Sequence, residues 1–209
     1  MFADTAATAL MTLLVTVGPV EVASVFAMLT TSANEGVRRQ LAVRACLIGG
    51  AVLLIFALSG NQLLYALHVG IPAFRAAGGV LLLSRARDMV FAPHAGLAPL
   101  THGEQREAAG HTDIVVFPLA IPLIAGPGTM TAIVLLAGRA RTWVDLASII
   151  VALLVALAVT LSALLSAGRL IRLLGVSGVN VVARVSGIIL AALAMQFVFD
   201  ALLEIGLFH

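Results

Sequence analysis

Long apolar runs constrain this chain more than any other feature of its sequence. A membrane-spanning helix needs about 20 apolar residues, and a spanning strand only about 10. Six apolar segments have the length of a helix: residues 6–29, 42–65, 71–91, 114–138, 144–167 and 180–203. Only 11% of the residues are charged, against about 25% in soluble domains. The sequence therefore predicts an all-α integral membrane protein, with six transmembrane helices in a single domain over residues 1–209.

The charged residues predict an orientation and give no sign of a nucleic-acid partner. All twelve basic residues are arginines, and the formal net charge is only +2. Seven arginines lie at one end of the predicted spans: Arg38, Arg39, Arg85, Arg87, Arg106, Arg169 and Arg172. Two lie at the other end, Arg139 and Arg141. Because basic loops face the cytoplasm, we expect both termini on the periplasmic side of a cell inner membrane.

The polar stretch 92–113 predicts a flexible cytoplasmic loop, since it contains several prolines and glycines. Its three histidines, His94, His102 and His111, are eight and nine residues apart. These spacings match no common pattern of metal ligands, so we expect solvated histidines and no metal site. Cys46 is the single cysteine and lies in an apolar run, which predicts a buried small residue.

The two halves of the chain share a pattern of glycines at an offset of 108 residues. The matches are Gly18-Pro19 with Gly126-Pro127, Gly60 with Gly168, Gly70 with Gly178, and Gly79 with Gly187. Three spans in each half would place the second copy upside down in the membrane. The pattern therefore predicts an inverted repeat, with repeat 1 at 6–91 and repeat 2 at 114–203, as in many secondary transporters. Chance similarity between apolar segments is the alternative.

The Gly-Pro pairs lie inside the first and fourth predicted spans. Proline costs about 3 kcal/mol in a helix interior but little at the first helical position. We therefore expect Pro19 and Pro127 to begin new half-helices, with Gly18 and Gly126 as their N-caps. The positive ends of two such half-helices would suit a small anionic group. Ordinary proline kinks satisfied by neighbouring helices are the alternative, although three prolines in FPLAIPLIAGPG favour a broken segment.

Three long motifs resemble the MarC family of bacterial inner-membrane proteins. They are FPLAIPLIAGPGT, GIPAFRAAGGVLLLSRARDMVF and VARVSGIILAALAMQFVFDAL. The family is related to archaeal transporters of small neutral amino acids. The resemblance implies two inverted three-helix halves, with broken first and fourth helices around a central substrate site, and transport of solutes such as glycine and alanine.

The resemblance also implies residues that line this site, but it fits the two halves unequally. The fourth-span motif is intact and carries over Ala125, Gly126, Pro127, Gly128 and Thr129 as substrate-binding residues. In the first span the family commonly has Asn-Pro or Asp-Pro, followed by an apolar residue and glycine. This chain instead reads Gly18-Pro19-Val20-Glu21. A contact made by the missing Asn or Asp cannot be transferred to Gly18, although Gly18, Pro19 and Glu21 remain candidate site residues.

Glu21 is the ionisable residue of the first span and has two interpretations. At the third position of a half-helix it could cap the backbone N–H of Gly18. Alternatively, it could face the site and bind the amino group of a substrate or carry a coupling proton. An uncompensated charge at this depth costs about 2.5–3.5 kcal/mol, so we expect the group to be paired, hydrated or protonated.

Other polar and small residues of the third and sixth spans also have two interpretations. Arg75 and Arg184 either reach the membrane interface or act as gate residues that pair with an acid or attract a substrate carboxylate. Asp88, Asp200 and Glu204 are expected at the interface. The small residues 76–79 are expected to allow close helix packing.

The sequence thus predicts a transporter of small polar solutes, such as glycine or alanine, that works by alternating access. It predicts no enzyme activity, since the spans offer no nucleophile and base pair, and no cofactor. A coupling ion, H⁺ or Na⁺, and a homo-oligomeric state are compatible with the sequence. The alternatives are a scaffold or stress-related membrane protein without transport activity, and a channel.

Overall fold

All regular structure in the described part of the chain is helical. The computed structural model describes residues 2–31, 33–91 and 115–206, so the histidine-containing loop at 92–113 lies outside the described residues. We number the eight helices α1 to α8. They are α1 Phe2–Val17, α2 Pro19–Leu29, α3 Glu35–Ala66, α4 Ile71–Phe91, α5 Val115–Ile124, α6 Pro127–Gly138, α7 Trp143–Leu165 and α8 Ala167–Glu204. The predicted all-α class is confirmed.

Four segments are long and apolar enough to cross a membrane by themselves. They are Thr5–Leu29, which combines α1 and α2, and then Glu35–Ala66, Trp143–Leu165 and Ser177–Glu204. The other two predicted spans differ from a simple apolar helix. Helix α4 is continuous but carries four charged residues, whereas 114–138 is divided between α5, with π-helical hydrogen bonding, and the short apolar helix α6. Each of these two segments therefore depends on neighbouring helices to cover its polar groups.

The helical conformation is interrupted at Gly18, because this residue adopts a left-handed backbone conformation, with φ 65° and ψ 66°. Its N–H donates to the carbonyl oxygen of Leu14 at 3.0 Å and completes α1. Its own carbonyl oxygen accepts from Val22 N–H at 3.0 Å and starts α2. Glycine has no Cβ to oppose this conformation, and Pro19 at the first position of α2 has no N–H that would need a partner.

A different geometry separates α5 from α6. The N–H of Ala125 donates to the carbonyl oxygen of Ala120 at 2.9 Å, which is the wider spacing of a π-turn. Gly126 is extended, and its carbonyl oxygen accepts from Met130 N–H at 2.9 Å. Pro127 is then the first residue of α6.

Helix contacts fall into three main groups. Helix α4 lies along α8, α1 and α2 pack on α7, and α3 packs on α5 and α6. Glycines allow the closest of these contacts. A Cβ on Gly79 would lie 2.8 Å from the carbonyl oxygen of Ala194 in α8, and one on Gly78 would overlap Thr131 in α6. The packing interpretation therefore holds for Gly78 and Gly79, whereas Ala77 is exposed, and Cys46 is buried as expected.

Candidate functional site

A buried ion pair lies at the junction of α1 and α2. Arg85 of α4 donates from Nη2 to Oε2 of Glu21 in α2 at 3.1 Å. The Glu21 side chain is only 3% exposed and that of Arg85 is 19% exposed. The same Nη2 lies 3.4 Å from the carbonyl oxygen of Val17, the last residue of α1. Arg85 therefore joins α4 to both helices that meet at Gly18.

The ends of α1 and α2 explain why charges are tolerated here. The last carbonyl groups of a helix lack intrahelical partners and carry partial negative charge, so the end of α1 favours the Arg85 guanidinium. The first turn of a helix carries partial positive charge, so the start of α2 favours the Glu21 carboxylate. Each charge thus has its ionic partner and a helix end of opposite sign within reach.

This geometry corrects one of the two interpretations of Glu21. Gly18 receives no side-chain cap, because its N–H already donates to Leu14. The capping interpretation of Glu21 is therefore wrong. The expectation that a charge at this depth needs compensation is met by Arg85.

The second Gly-Pro segment reaches the same region. Thr129, in the first turn of α6, donates from Oγ1 to the carbonyl oxygen of Thr16 at 3.2 Å, and both residues are fully buried. The Nη1 atom of Arg85 lies 3.3 Å from the position that a Cβ on Gly126 would occupy. The chain segments around Gly18 and Gly126 therefore meet, and Arg85 lies beside both of them.

A cavity of about 220 Å³ opens beside this ion pair. Its walls come from α2, α4, α5 and α6. They are formed by Glu21, Leu81, Ser84, Arg85, Asp88, Pro122, Leu123, Pro127 and Gly128. The Oε1 atom of Glu21 is buried and has no hydrogen-bond partner within the described residues, so the carboxylate uses only one of its two oxygens. The cavity is thus bordered by the carboxylate and the guanidinium of one ion pair, and this carboxylate has unused acceptor capacity.

The predicted site residues fall into two groups in this geometry. Glu21, Pro127 and Gly128 line the cavity. The others border it or act behind it: Gly18 and Gly126 adjoin the ion pair, Thr129 joins α6 to α1, Ala125 is fully buried, and Pro19 is half-buried at the start of α2.

The two glycines of the fourth span are also needed for packing. A Cβ on Gly126 would lie 2.5 Å from the carbonyl oxygen of Pro122, and one on Gly128 would overlap the side chain of Leu82. Substitution of either glycine would therefore disturb the helix packing as well as the cavity.

Further ion pairs lie at the other end of α4. Arg75, which is 9% exposed, donates from Nη1 to Oε2 of Glu204 in α8 at 2.8 Å. Arg139 donates to Asp200 at 2.9 Å. Arg75 thus pairs with an acid, and its role as a gate residue stays a prediction. Arg184 differs from it: the residue is exposed on α8 and forms no ion pair with any residue that the structure describes.

Arg85 is the functional candidate that the sequence reasoning missed. The arginine asymmetry counted it with the loop residues, although it lies within the predicted third span, 71–91. The signal that could have found it was Glu21, since a buried acid in one span requires a basic group in another. No group of three or more His, Cys, Asp or Glu residues that could bind a metal occurs in the part of the chain that the structure describes.

The apolar helices, the charged cavity between them and the two Gly-Pro segments together define a polytopic helical membrane protein. The profile of the MarC family of integral membrane proteins matches residues 4–206, and the chain belongs to this family. The family resemblance of the sequence motifs is thereby confirmed.

Named relatives cover nearly the whole chain. A UPF0056 membrane protein of Archaeoglobus fulgidus is 36% identical over 194 residues, which are 92% of this chain and 90% of the relative. A UPF0056 membrane protein of Methanocaldococcus jannaschii is 30% identical over 199 residues, 94% of this chain and 85% of the relative. The UPF0056 membrane protein YhcE of Escherichia coli is 30% identical over 182 residues, 87% of this chain and 84% of the relative. No solved structure matches the chain significantly.

Proposed function

We propose that this protein transports small zwitterionic solutes, in the size range of glycine and alanine, through the cavity beside Glu21 and Arg85. The ion pair carries this proposal, because it presents a positive and a negative group to one small cavity between two interrupted helices. A solute with both charges can bind both residues at once: its ammonium group takes the place of Arg85 at Glu21, and its carboxylate takes the place of Glu21 at Arg85. A solute with one charge would leave one residue buried and uncompensated.

The roles of the two residues follow from their surroundings. The Glu21 carboxylate, which lines the cavity and has unused acceptor capacity at Oε1, is the acceptor for the ammonium group of the solute. Arg85, with the positive end of α6 beside it, is the donor for the carboxylate. The volume of about 220 Å³ lies below the roughly 300–1,000 Å³ of pockets for drug-sized ligands, which favours a solute with a short side chain.

The proposed architecture is an inverted repeat of six spans, with α1–α4 and α5–α8 as the halves. The helix contacts support it, because they exchange under this symmetry. The packing of α1 and α2 on α7 corresponds to that of α5 and α6 on α3, and α2 on α8 corresponds to α6 on α4. The symmetry also exchanges α4 with α8, so the contact between these two helices is unchanged by it. Glu21 and Thr129 occupy equivalent positions at the offset of 108 residues, each in the first turn of the helix that follows a Gly-Pro pair.

Alternating access would use the ion pairs at the two levels of α4. Opening the site toward the Arg75 end requires separation of Arg75 from Glu204, whose side chain is 45% exposed and therefore easily rehydrated. The Glu21–Arg85 pair would reform when the solute leaves. The empty carrier would then avoid two uncompensated charges at the site.

We place the protein in the cell inner membrane with both termini outside. Without Arg85, six arginines remain at the cytoplasmic ends of the spans, against two at the opposite ends. The orientation inferred from the basic loops is therefore unchanged.

Uptake into proteoliposomes tests the proposed function. Purified protein should give saturable uptake of labelled glycine or alanine that unlabelled glycine inhibits, and imposed H⁺ or Na⁺ gradients would identify a coupling ion. Glu21→Gln and Arg85→Gln should each abolish uptake. Arg87→Gln, an exposed arginine on the same helix, is the matched control and should retain it. Flux that does not saturate would indicate a channel, and absence of flux for every zwitterion would favour a scaffold.

A further inference from the structure

Only two buried side-chain polar atoms within the described ranges have no hydrogen-bond partner. One belongs to an acidic residue and the other to a basic residue. One is Oε1 of Glu21, a residue that lines the cavity already described. The other is Nε of Arg75. An unused N–H in a buried guanidinium is costly, and such groups usually have a partner in the functional state. Arg75 is therefore a second buried charged residue with unused hydrogen-bonding capacity.

Arg75 borders a cavity that is separate from the Glu21–Arg85 site. This cavity has a volume of about 180 Å³ and is lined by Asn61, Leu64, Ile71, Arg75, Val134, Leu135, Gly138, Arg139 and Glu204. None of these residues lines the first cavity. Arg75 and Arg85 are ten residues apart on α4, which corresponds to about 15 Å along a helix.

We propose that this second cavity is a binding site for a small carboxylate, held by Arg75. A guanidinium has five N–H donors in a fixed fork, and the Glu204 carboxylate uses only Nη1. The Nε atom is buried and has no partner within the described residues, so the guanidinium that Glu204 contacts has unused donor capacity. Asn61 adds an amide donor to the same walls, which Arg139, the partner of Asp200, also borders.

The existing contact with Glu204 is direct support for this ligand chemistry. It demonstrates that a carboxylate reaches the guanidinium of Arg75 with good geometry, at 2.8 Å. The Glu204 side chain is 45% exposed, while that of Arg75 is 11% exposed. The arginine is therefore fixed in the wall of the cavity, and the glutamate is the partner that can leave for water. A carboxylate ligand competes with Glu204 for Arg75.

Because of this competition, substitution of Arg75 and substitution of Glu204 should change carboxylate binding in opposite directions. A purely structural ion pair would not produce this difference. Removal of Arg75 weakens carboxylate binding, whereas removal of the Glu204 charge strengthens it. If the pair only stabilised the fold, both substitutions would lower stability and neither would change the response to a carboxylate.

Thermal unfolding in nanodiscs of phosphatidylcholine, which contain no anionic lipid, provides the experiment. Acetate is the probe, because it has a carboxylate and no ammonium group, and chloride at equal ionic strength is the reference. Wild-type protein should show a saturable rise in unfolding temperature with acetate, as expected for a ligand that binds the folded state. Methylamine, which offers only an ammonium group, should not reproduce the effect.

The variants distinguish binding at Arg75 from a general effect of acetate on the protein surface. Arg75→Gln should weaken acetate binding by about tenfold or more, since it removes a charge-assisted hydrogen bond. Arg75→Lys keeps the charge without Nε and should also weaken it. Glu204→Gln should bind acetate more tightly than wild type. Arg141→Gln, an exposed arginine near the same end of α6, is the matched control and should behave as wild type.

Three results would overturn the proposal: an unchanged acetate response in Arg75→Gln, a weaker response in Glu204→Gln, or no saturable response in wild type. If Arg75→Gln does not fold, Arg75→Lys and Glu204→Gln still decide the question. Arg85→Gln should keep the acetate response even though it loses glycine uptake. The two sites are therefore tested independently, and failure of one does not imply failure of the other.

Discussion

Removal of Arg85 should destabilise the protein more than removal of Glu21, because the two charges are buried to different extents. Arg85→Gln leaves a carboxylate whose side chain is 3% exposed and whose Oε1 already has no partner. Glu21→Gln leaves a guanidinium that is 19% exposed, borders a cavity and still has the carbonyl oxygen of Val17 within 3.4 Å. The stranded glutamate therefore has fewer ways to regain solvation than the stranded arginine.

The expected magnitudes follow from this difference. Breaking a buried pair by removing one partner costs about 3–5 kcal/mol, and Arg85→Gln should lie in this range. Glu21→Gln should cost about 1–3 kcal/mol, since the remaining arginine keeps part of its hydrogen bonding and hydration. The double variant Glu21→Gln/Arg85→Gln leaves two neutral amides that can bond to each other, so it should be more stable than Arg85→Gln alone.

Thermal unfolding of purified protein in one detergent provides the assay. At about 2–4 °C per kcal/mol for a chain of this size, Arg85→Gln should lower the unfolding temperature by on the order of 10 °C. Arg87→Gln, on the exposed face of α4, should change it little. The reasoning is refuted if Arg85→Gln is as stable as Arg87→Gln, or if the double variant is no more stable than Arg85→Gln.

Three further predictions concern packing and local bonds. Gly78→Ala should lower the unfolding temperature, because its Cβ would overlap a side chain of α6. Gly36→Ala is the control and should not lower it, since its Cβ would lie 3.6 Å from the nearest atom, and equal effects would contradict the close packing of α4. Thr129→Val keeps the side-chain shape and removes the hydrogen bond to the Thr16 carbonyl, so it should lower the free energy of unfolding by about 0.5–2 kcal/mol in the same assay. Unchanged stability would show that this bond does not help to hold α1 and α6 together. Cys46 is 7% exposed, so a maleimide should label it slowly in folded protein and rapidly after denaturation, and fast labelling of folded protein would show that its burial is wrong.

Local features of the structure were accessible from the sequence because they depend on the chemistry of adjacent residues. Pro19 and Pro127 are the first residues of α2 and α6, since proline suits the first position of a helix and no interior one. Gly78 and Gly79 pack closely on α6 and α8 because they have no side chain. In contrast, the sequence could not predict that Gly18 is left-handed and Gly126 extended, because each conformation depends on the path of the preceding helix.

The partners of the charged residues were not accessible from the sequence, because they depend on tertiary contacts. Glu21 and Arg85 are 64 positions apart, and Arg75 and Glu204 are 129 apart. The need for compensation of Glu21 could be predicted, whereas the identity of Arg85 as its partner could not. The apolar pattern also obscured Arg85, since a residue near the end of a predicted span is easily assigned to the adjoining loop.

Protection from alkylation shows whether glycine occupies the cavity beside Glu21 and Arg85. Ser84 lines the cavity beside Glu21 and Arg85, so Ser84→Cys in a Cys46→Ala background places a thiol at its wall. Glycine should slow alkylation of this thiol in a saturable manner, at the concentrations that half-saturate uptake by the same sample. Alkylation of Arg87→Cys, on the exposed face of α4, should not respond to glycine. If glycine is transported but leaves alkylation at position 84 unchanged, the solute does not bind in this cavity and the account of the site is wrong.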